Sequence, residues 1–256
     1  MARVRGAGRM SMIAVSLFDF TGNMLKPWLE AGYECHIFDI QHPSDYRRED
    51  GMYCHKINLK SSLAVKKVQF AVARADFLSC FPPCTHLAVS GARWFKGKGL
   101  RALEESIAFF ATSAEVADRL GCPYIIENPM STISTYWREP DYKFHPCHYS
   151  GYVAGDENYT KETWLWTGNG FVMPARNMAG DLFELPDMTY IHHQPPGKER
   201  ANIRSATPMG FSRAVFEANH ACTACRGTGH VCCGGEEGYF ECCQSTVQCG
   251  CMAVGE

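Results

Sequence analysis

MIAVSLFDFTGNMLKPWLEAGYECHIFDI, residues 12–40, changes its period twice, and those changes set the fold class. MIAVSLFDF is a short apolar run with Ile and Val, as in a strand buried on both faces of a parallel sheet. TGN breaks it. MLKPWLEAG follows, with Pro27 suited to a first helical turn and Gly32 to a helix stop. ECHIFDI reads as a second strand closing at Asp39. Strand, glycine turn, helix and strand open a βαβ unit.

The alternation continues. YCHKINL reads as a third strand, SSLAVKKVQFAVARA as a helix, and DFLSCF as an apolar strand running into Pro-Pro-Cys. Residues 44–52 are charged and loop-like. Leu103, Ile107, Phe110, Ala114 and Ala117 lie on one helix face, which Gly121 ends. CPYIIENP is a further buried strand ending in acid, amide and proline. Strands alternating with helices predict an α/β domain with a mainly parallel sheet, whose ligands bind at the carboxyl ends of the strands. Gly22, Asp39, Cys84 and Glu127 all fall at or just after such ends. From residue 136 to about 200 the pattern weakens into short strands and loops, read as an insert. GKERANIRSATPMGFSRAVFEANH supplies a basic loop and a final helix. Residues 11–220 form one domain on this reading, and residues 221–256 a cysteine-rich tail.

The 256 residues suffice for one large domain and a small appendage. A formal net charge of −2 gives no global basic field, so a nucleic acid would have to be met by a local basic cleft. No stretch approaches the roughly 20 apolar residues of a membrane helix. The basic start MARVRGAGR leads into an apolar run that Asp19 interrupts, without the long core and cleavage site of a signal peptide. The expected compartment is the cytosol, with reduced thiols. Of the 14 cysteines, eight crowd into residues 222–251, a pattern that reads there as metal binding rather than disulfides.

The strand ends carry the chemistry. Gly22 lets the backbone approach a ligand closely, and Asp39, 17 residues later, suits two ribose hydroxyls. The same pattern also fits an ordinary strand–helix turn with a surface acid. Two prolines stiffen the chain before Cys84, whose thiolate would be a strong nucleophile at the sheet edge; a buried structural thiol is the alternative. Cys80, within the strand, reads as structural. Glu127 ends an apolar strand, where an acid is expensive to bury without a partner. Asn128 and Pro129 fix its turn, and a helix cap or salt bridge would also account for it. Pro-Pro-Cys and Glu-Asn-Pro after neighbouring strands are what cytosine chemistry needs: a thiolate to add at carbon 6, and an acid to protonate nitrogen 3. Amino-methyltransferase motifs require Asp, Asn or Ser before Pro-Pro and an aromatic after it. Phe81 and Cys84 stand there instead.

PPCTHLAVSGARW, IIENP, TKETWLW and PPGKERANIRSATPMGFSRAVFEANH resemble the cytosine-carbon-5 DNA methyltransferases, most closely their small phage and prophage members. The resemblance spans residues 13–220. It implies a Rossmann-like fold using S-adenosylmethionine, with cytosine in DNA as the target, flipped out of the duplex. Residue by residue, it implies that Cys84 is the nucleophile and Glu127 the nitrogen-3 partner. Phe18 would pack near the adenine, and Asp19, Gly22 and Pro82 would line the cofactor. Asp39 would bind its ribose and Asn58 the adenine edge. Asn128, Lys161 and Arg204 would meet the base or phosphates. Thr85 and Pro129 stand where larger members carry Gln and Val, Asn23 and Met24 replace part of their glycine pattern, and the large target-recognition region is missing. Two alternatives stand beside this reading: a related modifier of free nucleotide or RNA, and a non-enzymatic DNA- or protein-binding relative.

In the tail, CTACRGTG places Cys222 and Cys225 in a metal knuckle similar to one zinc repeat of J-domain chaperones. Cys242, Cys243, Cys249 and Cys251 are the candidate partner ligands, giving a small zinc ribbon. His145 and His148 around Cys147 read as a loop rather than a metal site, as do His192 and His193. Of Trp164 and Trp166, which alternate as on a strand, at least one is expected in the core.

Overall fold

The computed structural model describes residues 11–60, 62–155, 157–179, 202, 205–220, 230–232 and 246–248. Five parallel strands form the centre of the main sheet. They are β1 (Ile13–Leu17), β2 (Glu34–Asp39), β4 (Tyr53–Lys56), β5 (Phe77–Cys80) and β6 (Tyr124–Asn128). β3 (Tyr46–Arg47), inside the stretch read as a loop, adds an antiparallel edge beside β4. β7 (Tyr142–Phe144) and β8 (Thr163–Gly168) extend the other side, giving the order β3-β4-β2-β1-β5-β6-β8-β7. The stretch read as an insert therefore contributes two strands to the main sheet, with β8 antiparallel to β6. The chain winds outward from β1 through β2 and β4, then crosses to β5. This leaves a topological switch point between β1 and β5.

The helices cover both faces. α2 (Ser62–Ala71) and α3 (Phe95–Leu120) pack on one, where Val15, Leu17 and Phe38 meet Val65, Val68, Phe110 and Val116. α1 (Lys26–Glu30) and the last helix of the domain, α5 (Met209–Asn219), pack on the other, where Ala14, Cys35 and Ile37 meet Trp28, Phe211 and Val215. A further short helix, α4 (Ile133–Tyr136), follows β6. Alternation along each strand divides its side chains between the layers. Ile126 joins the first cluster and Ile125 the second. Trp164 and Trp166 are both core residues, on the face opposite Leu165.

Local chemistry accounts for the boundaries. The helix expected after Gly22 begins as a 3-10 turn, Asn23–Leu25, before α1 starts with Pro27 in its first turn. α3 follows a 3-10 segment, Val89–Trp94, and kinks at Gly99 (φ 74°, ψ 177°). It ends at Gly121, whose left-handed φ of 63° and N–H bond to the Ala117 carbonyl form a C-terminal cap. Glu157 caps α5 by accepting the Met209 and Gly210 N–H groups at 2.6 and 2.7 Å.

His145 precedes a 3-10 segment, Pro146–Tyr152, that contains His148, and the His145 N–H donates to His148 Nδ1. Among the described residues no helix is long and apolar enough to cross a membrane, and no group of three or more His, Cys, Asp or Glu is placed to hold a metal. Residues His220–Glu256 form a separate unit in which β9 (His230–Cys232) pairs antiparallel with β10 (Thr246–Gln248). The expected zinc ligands Cys222, Cys225, Cys242, Cys243, Cys249 and Cys251 lie outside the described residues, as do Arg204, His192 and His193.

Candidate active site

β5 and β6 are hydrogen-bonded neighbours, pairing Cys80 with Ile126, so the segments that follow them leave the sheet side by side. The first begins with the Phe81 N–H bonded to the Leu17 carbonyl at 3.0 Å. Pro82 and Pro83 carry no N–H to satisfy, which suits a loop leaving a buried strand. The Cys84 carbonyl then accepts from both Leu87 and Ala88 N–H groups at 2.9 Å, curling the chain into a turn around the thiol.

Two links fasten this loop to the turn after β6: the Asn128 amide, and a β-bridge to which the Val89–Met130 bond belongs. Asn128 Nδ2 donates to the Pro82 carbonyl at 2.9 Å, the Val89 N–H donates to the Met130 carbonyl at 3.0 Å, and Ala88 bridges Ser131. Asn128 is fully buried, so its amide is a clasp between the loops rather than an outward contact. This differs from the base or phosphate contact expected of it.

Cys84 is half-buried, whereas Cys35, Cys54, Cys80, Cys122 and Cys147 are all buried. Burial pushes the Cys80 thiol well above its ordinary value and holds Cys35 and Cys122 up at about 12, so these three remain protonated. Glu127 alternates onto the α5 face. Lys161, just before β8, places its Nζ 3.7 Å from Glu127 Oε1, with both side chains largely covered. A shallow cleft contains this pair between Phe81, Phe144, Thr207 and Phe211. The antiparallel docking of β8, which pairs Leu165 with Glu127, is what brings Lys161 there.

The ends of β1 and β2 form a second cluster. Phe18 adopts a φ of 55°, a region that costs a bulky residue about 1–2 kcal/mol, and its ring meets Phe109 edge-on at 5.5 Å. Asp19 is buried, and its carboxylate accepts from Ser16 Oγ (2.9 Å), Thr21 Oγ1 (3.1 Å) and the Gly22 N–H (2.7 Å). Its side chain thus holds the loop's shape. Burial nonetheless raises the Asp19 pKa, against the pull of these bonds. Gly22 has a φ of 72°, and a Cβ there would meet Met52 Sδ at 2.6 Å. Asp39 Oδ1 accepts the Gln41 N–H at 2.7 Å, and burial raises its pKa as well. Asn58 is exposed, with its side-chain oxygen on the Lys60 N–H.

Two residues here escaped the sequence reading. Arg48 donates to the Thr21 carbonyl at 2.9 Å and pairs with Asp50 at 2.8 Å, pinning the first loop from β3's side. His42, 1% exposed, packs its ring against Phe20, and burial lowers its pKa. Neither has a local signal, because each acts through a loop more than 20 residues away or through tertiary burial.

No family model matches the chain, and no curated protein does. Among solved structures, it is similar to a prophage-encoded protein described as a DNA modification methyltransferase (E. coli), at 13% identity and a TM-score of 0.40. The match covers 61% of this chain and 46% of that one. It is also similar to the Cj0485 dehydrogenase, at 14% identity and a TM-score of 0.32, over 44% of this chain and 48% of that one. The matches span less than half of either structure's own length.

Proposed function

We propose that the protein transfers a methyl group from S-adenosylmethionine to carbon 5 of cytosine in DNA. The observation that carries this reading is the double fastening of the Cys84 loop to the Glu127 turn, by the Asn128 amide and a β-bridge, at the edge of the sheet where a half-buried thiol and a largely covered carboxyl both lie. Cys84, as thiolate, adds to carbon 6 of the pyrimidine while Glu127 supplies a proton to nitrogen 3, leaving carbon 5 enamine-like and nucleophilic. S-adenosylmethionine, when bound, supplies the electrophilic methyl group. Loss of the carbon-5 proton then expels the thiolate and restores the ring. Lys161 keeps Glu127 oriented in the cleft. Phe18, Asp39 and Asn58 fit the cofactor, since they join an aromatic ring, an acid and an exposed amide at the ends of β1, β2 and β4.

DNA is favoured over free nucleotide by the surface next to the thiol. Trp94 is 61% exposed and Leu100 83%, and Arg93, Lys96, Lys98 and Arg101 are interleaved with them. Lys98 Nζ donates to the Thr85 carbonyl at 2.6 Å, tying this basic and aromatic segment to the residue after Cys84. Such interleaving suits phosphate contacts with base stacking. The unit His220–Glu256 we read as a zinc ribbon, because eight cysteines give it the thiolate donors that a structural zinc requires.

The test is transfer of label from tritiated S-adenosylmethionine to duplex DNA, deoxycytidine monophosphate or RNA, with wild type beside Cys84→Ser. Label is expected at carbon 5 of DNA cytosine, with Cys84→Ser slower by roughly 10⁴-fold or more. Undiminished transfer by the variant would refute the covalent mechanism. Failure of the wild type to bind cofactor would favour a non-enzymatic protein.

A further inference from the structure

An open groove of about 490 Å³ lies between the end of β4 and the outer side of α2. Phe38, His55, Lys56, Lys66, Lys67 and Phe70 are among its lining residues. That volume is in the range of small-ligand pockets. The buried face of α2 is Ala64, Val65 and Val68, so Lys66, Lys67 and Phe70 are left on its outer side. The two lysines make no ion pair among the described residues, and Phe70 is 96% exposed. Lys56 adds a third ammonium, partly engaged by the Pro43 carbonyl at 3.2 Å, against the single carboxylate of Asp45.

The floor is organised from beneath. Register places His36 opposite Tyr53 and Phe38 opposite His55, and the rings stack at 4.8 and 4.3 Å. His36 Nε2 lies 2.8 Å from Glu34 Oε1, and His36 Nδ1 lies 2.9 Å from His55 Nε2. A carboxylate can only accept. The network therefore assigns His36 Nε2–H to Glu34 and His55 Nε2–H to His36, which fixes both rings beneath the lysines and leaves His55 Nδ1 an acceptor.

We propose that this groove binds the phosphate of a nucleotide, with Lys66 and Lys67 holding the phosphate and the open face of Phe70 taking the base. Three ammonium groups against one carboxylate select an anion, and an aromatic ring left in water selects a flat apolar group attached to it. A free nucleotide and a phosphorylated strand end share this chemistry.

The experiment titrates the full-length protein with methylanthraniloyl-ADP, followed by fluorescence anisotropy. Lys66→Glu/Lys67→Glu is expected to weaken binding about tenfold or more, the equivalent of at least one lost charge-assisted bond. Phe70→Ala should weaken the probe several-fold while leaving competition by pyrophosphate unchanged. Excess S-adenosylhomocysteine should not displace it. A 5′-phosphorylated oligonucleotide competing better than ADP assigns the phosphate to a strand end, and the reverse order assigns it to a free nucleotide. Displacement by S-adenosylhomocysteine, equal binding by both variants, or no binding of the probe at millimolar concentration would each overturn the proposal.

Discussion

The carboxyl ends of β5 and β6 and those of β1 and β2 lie along one edge of the same sheet, yet they spend their polar groups in opposite ways. At β1 and β2 the side chains work inward. Asp19 takes three hydrogen bonds from its own loop and strand, Asp39 caps Gln41, and Arg48 pins the Thr21 carbonyl. At β5 and β6 the main chain and one buried amide set the shape, and Glu127 pairs outward with Lys161.

The sharpest way to break this contrast is Asn128→Ala. It removes the clasp on the Pro82 carbonyl and leaves that acceptor without this partner, at about 1–3 kcal/mol in stability. The larger effect is expected in turnover. A nucleophile displaced by about 1 Å costs roughly 10²-fold, so methyl transfer should fall by that order with little change in cofactor affinity. Cofactor binding by calorimetry beside the turnover rate separates the two. A proportional loss of both would mean that the clasp supports the whole edge rather than the thiol loop.

Gly22→Ala probes the other region. The φ of 72° and the contact with Met52 Sδ act together, and the expected loss is about 2–3 kcal/mol. Met52→Ala in the same chain opens space for the new methyl group but leaves the backbone cost, so it should not restore the melting temperature of its own Met52→Ala parent. Cofactor affinity should fall, while the Cys84 loop should keep its hydrogen-exchange protection. If that protection were lost too, the two regions would form one cooperative unit.

How much of this was legible follows from how local each cause is. The alternation of strand and helix, and the adjacency of the Pro-Pro-Cys and Glu-Asn-Pro strands, follow from period and punctuation, which neighbouring residues carry. Residues 142–144 and 163–168 read only as part of an insert, because a three-residue strand has almost no period and β8 finds its place by pairing with β6. Lys161 was legible as a candidate only through its motif, while its partner Glu127 follows from that pairing. The capping of α5 by Glu157, about 50 residues upstream, had no sequence signal at all. Asp19 shows the subtlest gap. Sequence placed it beside the cofactor, but only the buried Ser16 and Ser79 hydroxyls, 2.9 Å apart, reveal that its carboxylate belongs to the frame.

That assignment makes a pH-dependent prediction. Burial raises the Asp19 pKa above its unfolded value despite the hydrogen bonds, so the folded state binds the proton more tightly than the unfolded chain. The favourable contribution is full below the unfolded pKa and is lost as pH rises through the folded one. Asp39, also raised by burial, acts with the same sign. Asp19→Asn keeps an oxygen for the Gly22 N–H and turns the other position into a donor, which Ser16 accommodates by rotating its hydroxyl to accept. Urea unfolding between about pH 4 and about pH 7 should therefore show a flatter decline in the variant, with stability at the low end within about 1 kcal/mol of wild type. An unchanged slope would mean that Asp19 stays ionised in the fold, its three hydrogen bonds outweighing its burial. The β1 end would then carry a fixed negative charge rather than a protonatable brace.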